Sequence, residues 1–250
     1  MEEMSKIPKR IWQTWKTSTV PDKWRSSPES IHGLCSHWEY RLTTDEQNRK
    51  FVQEMFPQYY ELYKSFDREI YRVDMVRYLI LYEYGGVYMD LDLELIRPLE
   101  ELLTGNSDLY LVRTPNLGGY TNAFMASAPK CPFWLECINE IAHRAKYRPW
   151  YIMGDLKVLW TTGPQMITSV VSRYNRPFVT IPYKLGHPCS ICDNYNGTGD
   201  LSHAYVRELQ GSSWSGSASI VHYLMCCWQI VLAIVMVLIL LLILFLWIIR

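Results

Sequence analysis

The sequence predicts an α/β protein with crossover connections, followed by a C-terminal transmembrane helix. Short apolar strand patterns alternate with helical patterns along the first 210 residues. A central stretch, residues 72–97, combines a helix, a Gly-Gly stop, a buried strand and two carboxylates. Ile230 to Ile249 is a run of twenty apolar residues without a charge, which is long enough to cross a bilayer as a helix.

Length and composition exclude some classes of function. The 250 residues allow one sizeable domain with an appendage. The chain has 25 Lys and Arg residues and 25 Asp and Glu residues. It therefore lacks the net positive charge that is typical of nucleic-acid-binding proteins. The 10 Trp and 18 Tyr suit the stacking of sugars and bases, but they suit an ordinary core equally well.

Two strands and three helices are predicted before the central stretch. Ser27, Pro28 and Glu29 combine a cap, a first-turn proline and an acid, which favours a helix to about His37. The other predicted elements are strands at Arg10–Trp15 and near Trp38–Leu42, and helices from Thr44 to about Met55 and at Pro57–Phe66.

The central stretch is predicted to place a helix directly before a buried strand. Gly85-Gly86 ends the helix, because glycine accepts the left-handed conformation that a helix stop needs. Val87–Met89 is short, apolar and partly β-branched, as expected of a buried strand. The apolar helix positions, which are expected to share one face, are Val73, Val76, Leu79, Ile80 and Tyr84.

The remaining elements follow the same alternation. Gly211 to Ser219 is rich in Gly and Ser and is typical of a linker. The predicted elements are short helices at Pro98–Leu103 and Pro164–Ser172, a longer one at Pro132–Tyr147, and strands at Leu109–Val112, Ala123–Ala128 and Phe178–Ile181.

Asp90 and Asp92 stand where the central strand ends. Residues two apart on an extended backbone point to the same side, so the two carboxylates converge. A hard divalent cation such as Mg²⁺ or Mn²⁺ would relieve their repulsion. Open α/β sheets place ligands just beyond the carboxyl ends of strands. The alternative is a solvated strand end with no ligand.

Asp74 and Arg77 lie three apart on the helix before that strand, so they share a face. They either reach the same pocket as a hydrogen-bonding pair or interact with the helix end and its dipole.

Four segments carry a resemblance to a known family. They are residues 7–16 (IPKRIWQTWK), 74–92 (DMVRYLILYEYGGVYMDLD), 162–164 (TGP) and 211–214 (GSSW). In order and spacing the chain resembles the DxD sugar transferases of glycosyltransferase family 32, which include fungal α-mannosyltransferases and mannosyl-phosphorylinositol-ceramide synthases. The resemblance implies a GT-A-like fold, with a mixed, mostly parallel sheet and flanking helices, over residues 1–210.

The resemblance implies roles for residues of the donor site. Trp15 would stack the donor base, and Asp74 and Arg77 would hold the sugar hydroxyls. Asp92 would bind Mn²⁺ or Mg²⁺ directly, while Asp90 would reach the ribose or a metal-bound water. The implied catalytic residues are Asp90, Asp92 and Arg77.

A late motif, Ser212, Ser213 and Trp214, would close over the diphosphate and metal, or would be a plain linker. The family often has a histidine near this motif that completes the metal site. Glu208 and Ser215 stand in those neighbourhoods here, which leaves the third metal ligand open.

On the acceptor side, the resemblance points to Asn122, Thr162 and Gly163. Asp155, the acid between Asn122 and the TGP segment, is a further candidate.

The implied reaction transfers a hexose, with mannose the first choice, and retains its configuration. The donor would be GDP-mannose or, second, a UDP-sugar. The acceptor would be a membrane lipid such as an inositol-phosphoceramide, or a glycan; a regulatory subunit is left open. One alternative is a non-catalytic membrane relative. Another is a DxD phosphohydrolase, which normally has Thr or Val where this chain has Glu94.

The C-terminal segment gives the predicted domain organisation. Residues 211–227 form a linker and residues 228–250 a transmembrane helix, with Trp228 and Trp247 near its ends. We therefore expect a single-pass protein of the Golgi or another endomembrane, with the side of the membrane left open.

Overall fold

A computed structural model describes residues 5–114, 118–147, 149–186, 201–209 and 232–239. Over these residues the fold is a six-stranded sheet with helices on both faces, and a separate two-stranded sheet. The strands are β1 (Arg10–Trp15), β2 (Glu39–Thr44), β3 (Gly86–Met89), β4 (Leu93–Leu95), β5 (Leu109–Arg113), β6 (Tyr120–Ser127), β7 (Val179–Ile181) and β8 (Val206–Glu208).

The large sheet has the order β2-β1-β3-β6-β5-β7. β1 pairs in parallel with both β2 and β3, and β5 pairs in parallel with β7. β6 runs antiparallel between β3 and β5. The sheet is therefore mixed and mostly parallel, which confirms the predicted α/β class.

Most predicted helices are confirmed, with shifted ends. Thr44 caps α2 through a reciprocal pair of bonds with Gln47, as its position at a helix start suggested. α1 begins at Ser26, two residues before the predicted first helical residue Pro28, so Ser27 lies inside the helix and is not its cap. The Ser27 hydroxyl accepts from Gln13 Nε2 at 2.8 Å. The helices are α1 (Ser26–Leu34), α2 (Asp45–Met55), α3 (Pro57–Ser65), α4 (Glu69–Tyr84), α5 (Pro132–Lys146), α6 (Leu156–Thr161), α7 (Pro164–Val171) and α8 (Tyr183–Gly186).

Several features differ from the sequence prediction. The helix predicted at Pro98–Leu103 is a 3₁₀ turn, Leu99–Glu101. The helices α6 and α8 and the β4–β8 pair were not predicted. Strands of three residues are too short for their alternation to stand out in a sequence, and the pairing of β4 with β8 joins segments more than 100 residues apart.

The central helix α4 is buried on several faces rather than on one. Met75, Val76 and Leu79 are inaccessible to solvent, and so are Tyr78 and Leu81 on other faces of the helix. The single apolar face predicted for α4 is therefore wrong, since the helix packs between α2, α3 and α5 as well as against the sheet.

Gly85 and Gly86 end α4 as predicted, and both have positive φ, 64° and 98°. A Cβ on Gly86 would lie 2.5 Å from the carbonyl oxygen of Arg10. The lack of a side chain at Gly86 therefore lets β3 pair closely with β1 and brings the ends of both strands together.

Residues 232–239 are helical. Among the residues that the structure describes, no helix is both long and apolar enough to span a bilayer. Apart from residues 232–239, the predicted transmembrane segment at residues 228–250 lies outside the described residues, as does the whole of the predicted linker, residues 211–227.

Candidate active site

A cleft of about 370 Å³ lies beyond the carboxyl ends of β1 and β3. In this cleft, side chains from β1 meet residues of α4 and the acidic segment that follows β3, residues 90–92. Arg77, Asp90 and Asp92, which the sequence singled out, all line this one cleft. The other lining residues are Thr14, Trp15, Lys16, Trp24, Asp45, Arg68, Glu69, Ile70, Val73 and Leu91.

The acidic segment turns sharply after β3. The Asp90 N–H donates to the carbonyl of Ala123 at 2.8 Å, and the Leu93 N–H donates to the Asp90 carbonyl at 3.1 Å. Burial raises the pKa of Asp90. Burial, followed by the charges of Asp90 and Glu208, raises the pKa of Asp92 to about 7. The site therefore concentrates negative charge where little solvent is present to screen it.

Arg77 connects the helix to this acidic segment. Its Nη2 lies 3.0 Å from Asp74 Oδ1, and its Nη1 lies 3.0 Å from Asp90 Oδ1. Nη1 also donates to the Asn122 carbonyl at 2.8 Å. A planar fork of donors can hold several acceptors in one geometry, so the guanidinium fixes Asp90 relative to α4.

Asp74 lies on the buried side of Arg77. Its Oδ1 accepts from Asn122 Nδ2 at 3.0 Å, and its Oδ2 accepts from Thr162 Oγ1 at 2.6 Å. Burial raises its pKa to about 6, against the lowering effects of Arg77 and these two bonds. Asp74 does not line the cleft, so in this structure it acts on the site through Arg77.

Two of the residues predicted for the acceptor side, Asn122 and Thr162, lie against Asp74. Asn122 and Thr162 are buried and bind its carboxylate. Gly163 precedes α7, where a Cβ would lie 3.0 Å from Leu159 Cα. Asp155 pairs with Arg68 at 3.0 Å, and Arg68 lines the cleft.

Tyr88, which the sequence did not predict as a site residue, holds both Asp90 and Arg77. Its hydroxyl donates to Asp90 Oδ1 at 2.9 Å and lies 3.0 Å from Thr14 Oγ1. Its ring lies under the Arg77 guanidinium, 4.6 Å from the ring centroid to Cζ. Tyr88 and Asp90 are two apart on an extended segment, so the same alternation that linked the aspartates could have revealed this residue.

The two tryptophans of β1 have different environments. Trp12 is buried, donates to the Gly85 carbonyl at 2.9 Å and stacks on Tyr84. Trp15 is half-buried in the cleft wall and meets Trp24 edge to face, with centroids 5.0 Å apart. Trp15 is thus placed to offer a ring face to a ligand, whereas Trp12 belongs to the core.

Glu208 approaches the acidic segment through the small sheet. β8 pairs with β4 so that Glu208 lies opposite Leu93, and the Leu209 N–H donates to the Asp92 carbonyl at 2.7 Å. Desolvation and then the charge of Asp90 raise the pKa of Glu208 to about 7, although its side chain keeps access to solvent. Even so, no three His, Cys, Asp or Glu side chains of the described residues form a ready-made metal site.

Residues 21–108, which include Asp74, Arg77, Asp90 and Asp92, match a family model described as "Glycosyltransferase sugar-binding region containing DXD motif". The chain belongs to this family of DXD-containing glycosyltransferases. The resemblance predicted from the sequence is therefore confirmed.

Curated relatives of the chain include two fungal proteins. Inositol phosphoceramide mannosyltransferase 3 of Schizosaccharomyces pombe is 33% identical over 236 residues, which cover 90% of this chain and 60% of that protein. Mannosyl phosphorylinositol ceramide synthase SUR1 of Saccharomyces cerevisiae is 35% identical over 170 residues, which cover 68% of this chain and 43% of that protein. The chain thus spans about 60% or less of the length of these two relatives.

Among solved structures, PaToxG Glycosyltransferase matches with a TM-score of 0.52 and 16% identity, over 67% of this chain and 69% of that one. This similarity shows a shared fold and confirms the GT-A-like architecture expected of a DXD glycosyltransferase. Ser212, Ser213 and Trp214, the predicted closing motif, lie outside the described residues.

Proposed function

We propose that this chain is a metal-dependent, retaining glycosyltransferase that moves a hexose, mannose, from a sugar nucleotide to a membrane-associated acceptor. The observation that carries the proposal is the cleft that Trp15, Arg77, Asp90 and Asp92 line together. An aromatic face, a guanidinium and a pair of carboxylates are the groups that a base, a diphosphate sugar and a cation require.

The carboxylates of Asp90 and Asp92 fit a divalent cation. Burial raises the pKa of both groups, and the charge of Asp90 further raises that of Asp92, so a cation gains from neutralising them and competes with protons for them. Carboxylate oxygens suit Mn²⁺ or Mg²⁺. Glu208 is a further acid of this site, since its charge raises the pKa of Asp92. When bound, the cation supplies positive charge to a diphosphate leaving group.

The side chains of the cleft have separate tasks in this proposal. Trp15 offers its ring to the base. Arg77, held at 3.0 Å from both Asp74 and Asp90, orients the donor sugar and adds positive charge beside the departing diphosphate. Asp74, Asn122 and Thr162 keep that guanidinium in place.

The identity of the substrates is inferred from the relatives. The two curated proteins are named for mannosyl transfer to inositol phosphoceramide. We therefore infer GDP-mannose as the donor, a UDP-sugar as the second choice, and an inositol-phosphoceramide or a glycan at a membrane as the acceptor. A single-pass anchor at residues 228–250 in the Golgi or another endomembrane is part of the same proposal.

Calorimetry with the full chain tests the proposal. GDP-mannose and UDP-glucose are titrated with Mn²⁺ and with EDTA, using wild type, Asp92→Asn and the control Glu54→Gln, which changes an exposed acid on α2. We expect donor binding that needs Mn²⁺, persists in Glu54→Gln and is lost in Asp92→Asn. A wild-type chain that binds neither donor would indicate a non-catalytic relative, and an Asp92→Asn chain that binds donor equally well with Mn²⁺ and with EDTA would refute the metal role.

A further inference from the structure

The loop between α5 and α6 presents large apolar side chains to solvent. Trp150 is 89% exposed, Tyr151 65% and Met153 68%, and Tyr147 at the end of α5 is 59% exposed. Trp150 and Tyr151 meet edge to face, 5.9 Å between centroids, but neither reaches the core. Exposed aromatic residues grouped in this way mark a surface that another phase or molecule covers.

The charges around this loop are positive. Lys146 and Lys157 are exposed or half-exposed and form no ion pair with any residue in the described ranges, and the Lys146 ammonium lies over the Tyr147 ring, 5.0 Å from its centroid. Two acids of this region have cationic partners: Glu140 pairs with Arg144 and Arg173, and Asp155 pairs with Arg68. The aromatic tip is therefore flanked by two lysines that have no ion-pair partner among the described residues.

The same loop is connected to two parts of the active site, namely the wall of the cleft and the hydrogen-bond network around Asp74. Asp155, at its end, pairs at 3.0 Å with Arg68, which lines the cleft. The helix that follows, α6, leads into Thr162, whose hydroxyl donates to Asp74 at 2.6 Å. The position of the aromatic tip is thus fixed relative to the Asp74–Arg77–Asp90 network.

We propose that Tyr147, Trp150, Tyr151 and Met153 insert into the headgroup layer of an anionic phospholipid bilayer, with Lys146 and Lys157 at its phosphates. Trp and Tyr rings have an apolar body and a polar edge and favour this layer. Lysines beside it are attracted to the negative charge of an anionic surface. The mixture of exposed aromatics and unpaired cations fits a lipid surface better than an apolar protein groove, which would leave the lysines without partners.

The insertion would hold the mouth of the cleft against the membrane that contains a lipid acceptor. This consequence rests on the proposed function, whereas the insertion itself does not. The acceptor would then be presented from the bilayer, and the loop would set how well a membrane-bound acceptor is used without touching the reacting atoms.

The first test measures the depth of Trp150 directly. The full chain is reconstituted in vesicles of phosphatidylcholine and phosphatidylserine, with and without lipids brominated near the headgroup. The fluorescence of Trp150→Phe is subtracted from that of wild type, which isolates the Trp150 signal. Trp38→Phe is the control, because Trp38 is buried in the core and donates to Glu100.

We expect brominated lipid to quench the Trp150 difference signal by about half and to leave the Trp38 difference signal unchanged. Replacing phosphatidylserine by phosphatidylcholine should weaken the quenching, since the cations lose their attraction to the surface. An unquenched Trp150 signal in anionic vesicles overturns the proposal. A Trp150 signal that responds to protein concentration but not to brominated lipid overturns it too and would indicate contact with a second copy of the chain.

The second test separates the surface from the active site. In Trp150→Ser/Tyr151→Ser, we expect KM for an acceptor embedded in vesicles to rise about tenfold, equivalent to about 1.4 kcal/mol. Turnover of a water-soluble, short-chain acceptor should not change. Equal losses with both acceptors would overturn the membrane role, while a wild type that uses neither acceptor but shows a quenched Trp150 would contradict the proposed function alone.

Discussion

Arg77 Nη1 lies 3.0 Å from Asp90 Oδ1, and Nη2 of the same guanidinium lies 3.0 Å from Asp74 Oδ1. One buried cation thus joins the helix that precedes β3 to the carboxylate that follows it. The arrangement explains how two acids with raised pKa values remain close in a buried site, since each has the same positive partner.

Arg77→Lys should break this arrangement although the charge is kept. A single ammonium cannot occupy both positions of the fork, and one of the two buried carboxylates loses its partner. We expect the free energy of unfolding to fall by about 3 kcal/mol and Mn²⁺-dependent donor binding to be lost. Urea denaturation and calorimetry measure both quantities.

Arg173→Lys is the matched control, because Arg173 is exposed and pairs with Glu140 at the surface. Its stability should change by less than about 1 kcal/mol. Equal stabilities of Arg77→Lys and wild type would contradict the role assigned to the guanidinium fork.

Tyr88→Phe should weaken the donor site without removing an acid. The change deletes the hydroxyl that donates to Asp90 at 2.9 Å and contacts Thr14 at 3.0 Å. We expect a loss of about 1 kcal/mol in stability and a several-fold weaker affinity for the donor with Mn²⁺, because Asp90 gains freedom to rotate.

Tyr110→Phe provides the comparison, since it deletes another hydroxyl of a buried tyrosine, which donates to the Thr104 carbonyl at 2.7 Å and does not line the cleft. This variant should lose similar stability but keep its donor affinity. If the two variants bind donor equally well, Tyr88 has only a structural role.

Acidification should stabilise the metal-free protein between pH 8 and pH 5. The pKa values of Asp92 and Glu208 are raised to about 7 and that of Asp74 to about 6, above unfolded values near 4. The folded state therefore binds more protons than the unfolded state in this range, so the free energy of unfolding rises as pH falls. Denaturation in EDTA at both pH values measures the difference.

Asp92→Asn should flatten this pH dependence and be more stable than wild type at pH 8. The gain should be roughly 1.4 kcal/mol for every pH unit that separates the folded and unfolded pKa values of Asp92. Glu39 and Glu140 have lowered pKa values in the folded state. They change the free energy of unfolding only below about pH 4.5, where they make it fall as the pH falls. If wild type instead loses stability from pH 8 to pH 5, then burial and repulsion of the ionised carboxylates do not destabilise the folded state.

Gly86→Ala should destabilise the fold strongly. Gly86 has a φ of 98°, and a Cβ would lie 2.5 Å from the Arg10 carbonyl oxygen, so β3 must move away from β1. We expect a loss of about 3 kcal/mol or more. Gly33→Ala in α1 has no atom within 4 Å of the new Cβ and should gain up to about 1 kcal/mol; thermal unfolding compares the two.

Local features of the sequence predicted much of the fold and part of the site. The Gly-Gly stop, the i, i+2 spacing of Asp90 and Asp92 and the i, i+3 spacing of Asp74 and Arg77 depend on backbone geometry within one or two elements. Such spacings can be read before the chain is folded, and the structure brings Arg77, Asp90 and Asp92 to one cleft. The order and spacing of the four motifs also predicted the family, which the comparisons confirmed.

The tertiary structure alone decided which groups surround those residues. Asn122 and Thr162 bind Asp74 across 48 and 88 positions of the chain, and Glu208 approaches Asp92 only because β8 pairs with β4. Trp12 and Trp15 look alike in the sequence, yet one lies in the core and the other in the cleft wall. Contacts of this kind depend on how distant elements pack, and no pattern of neighbouring residues encodes a distance between segments that meet only after folding.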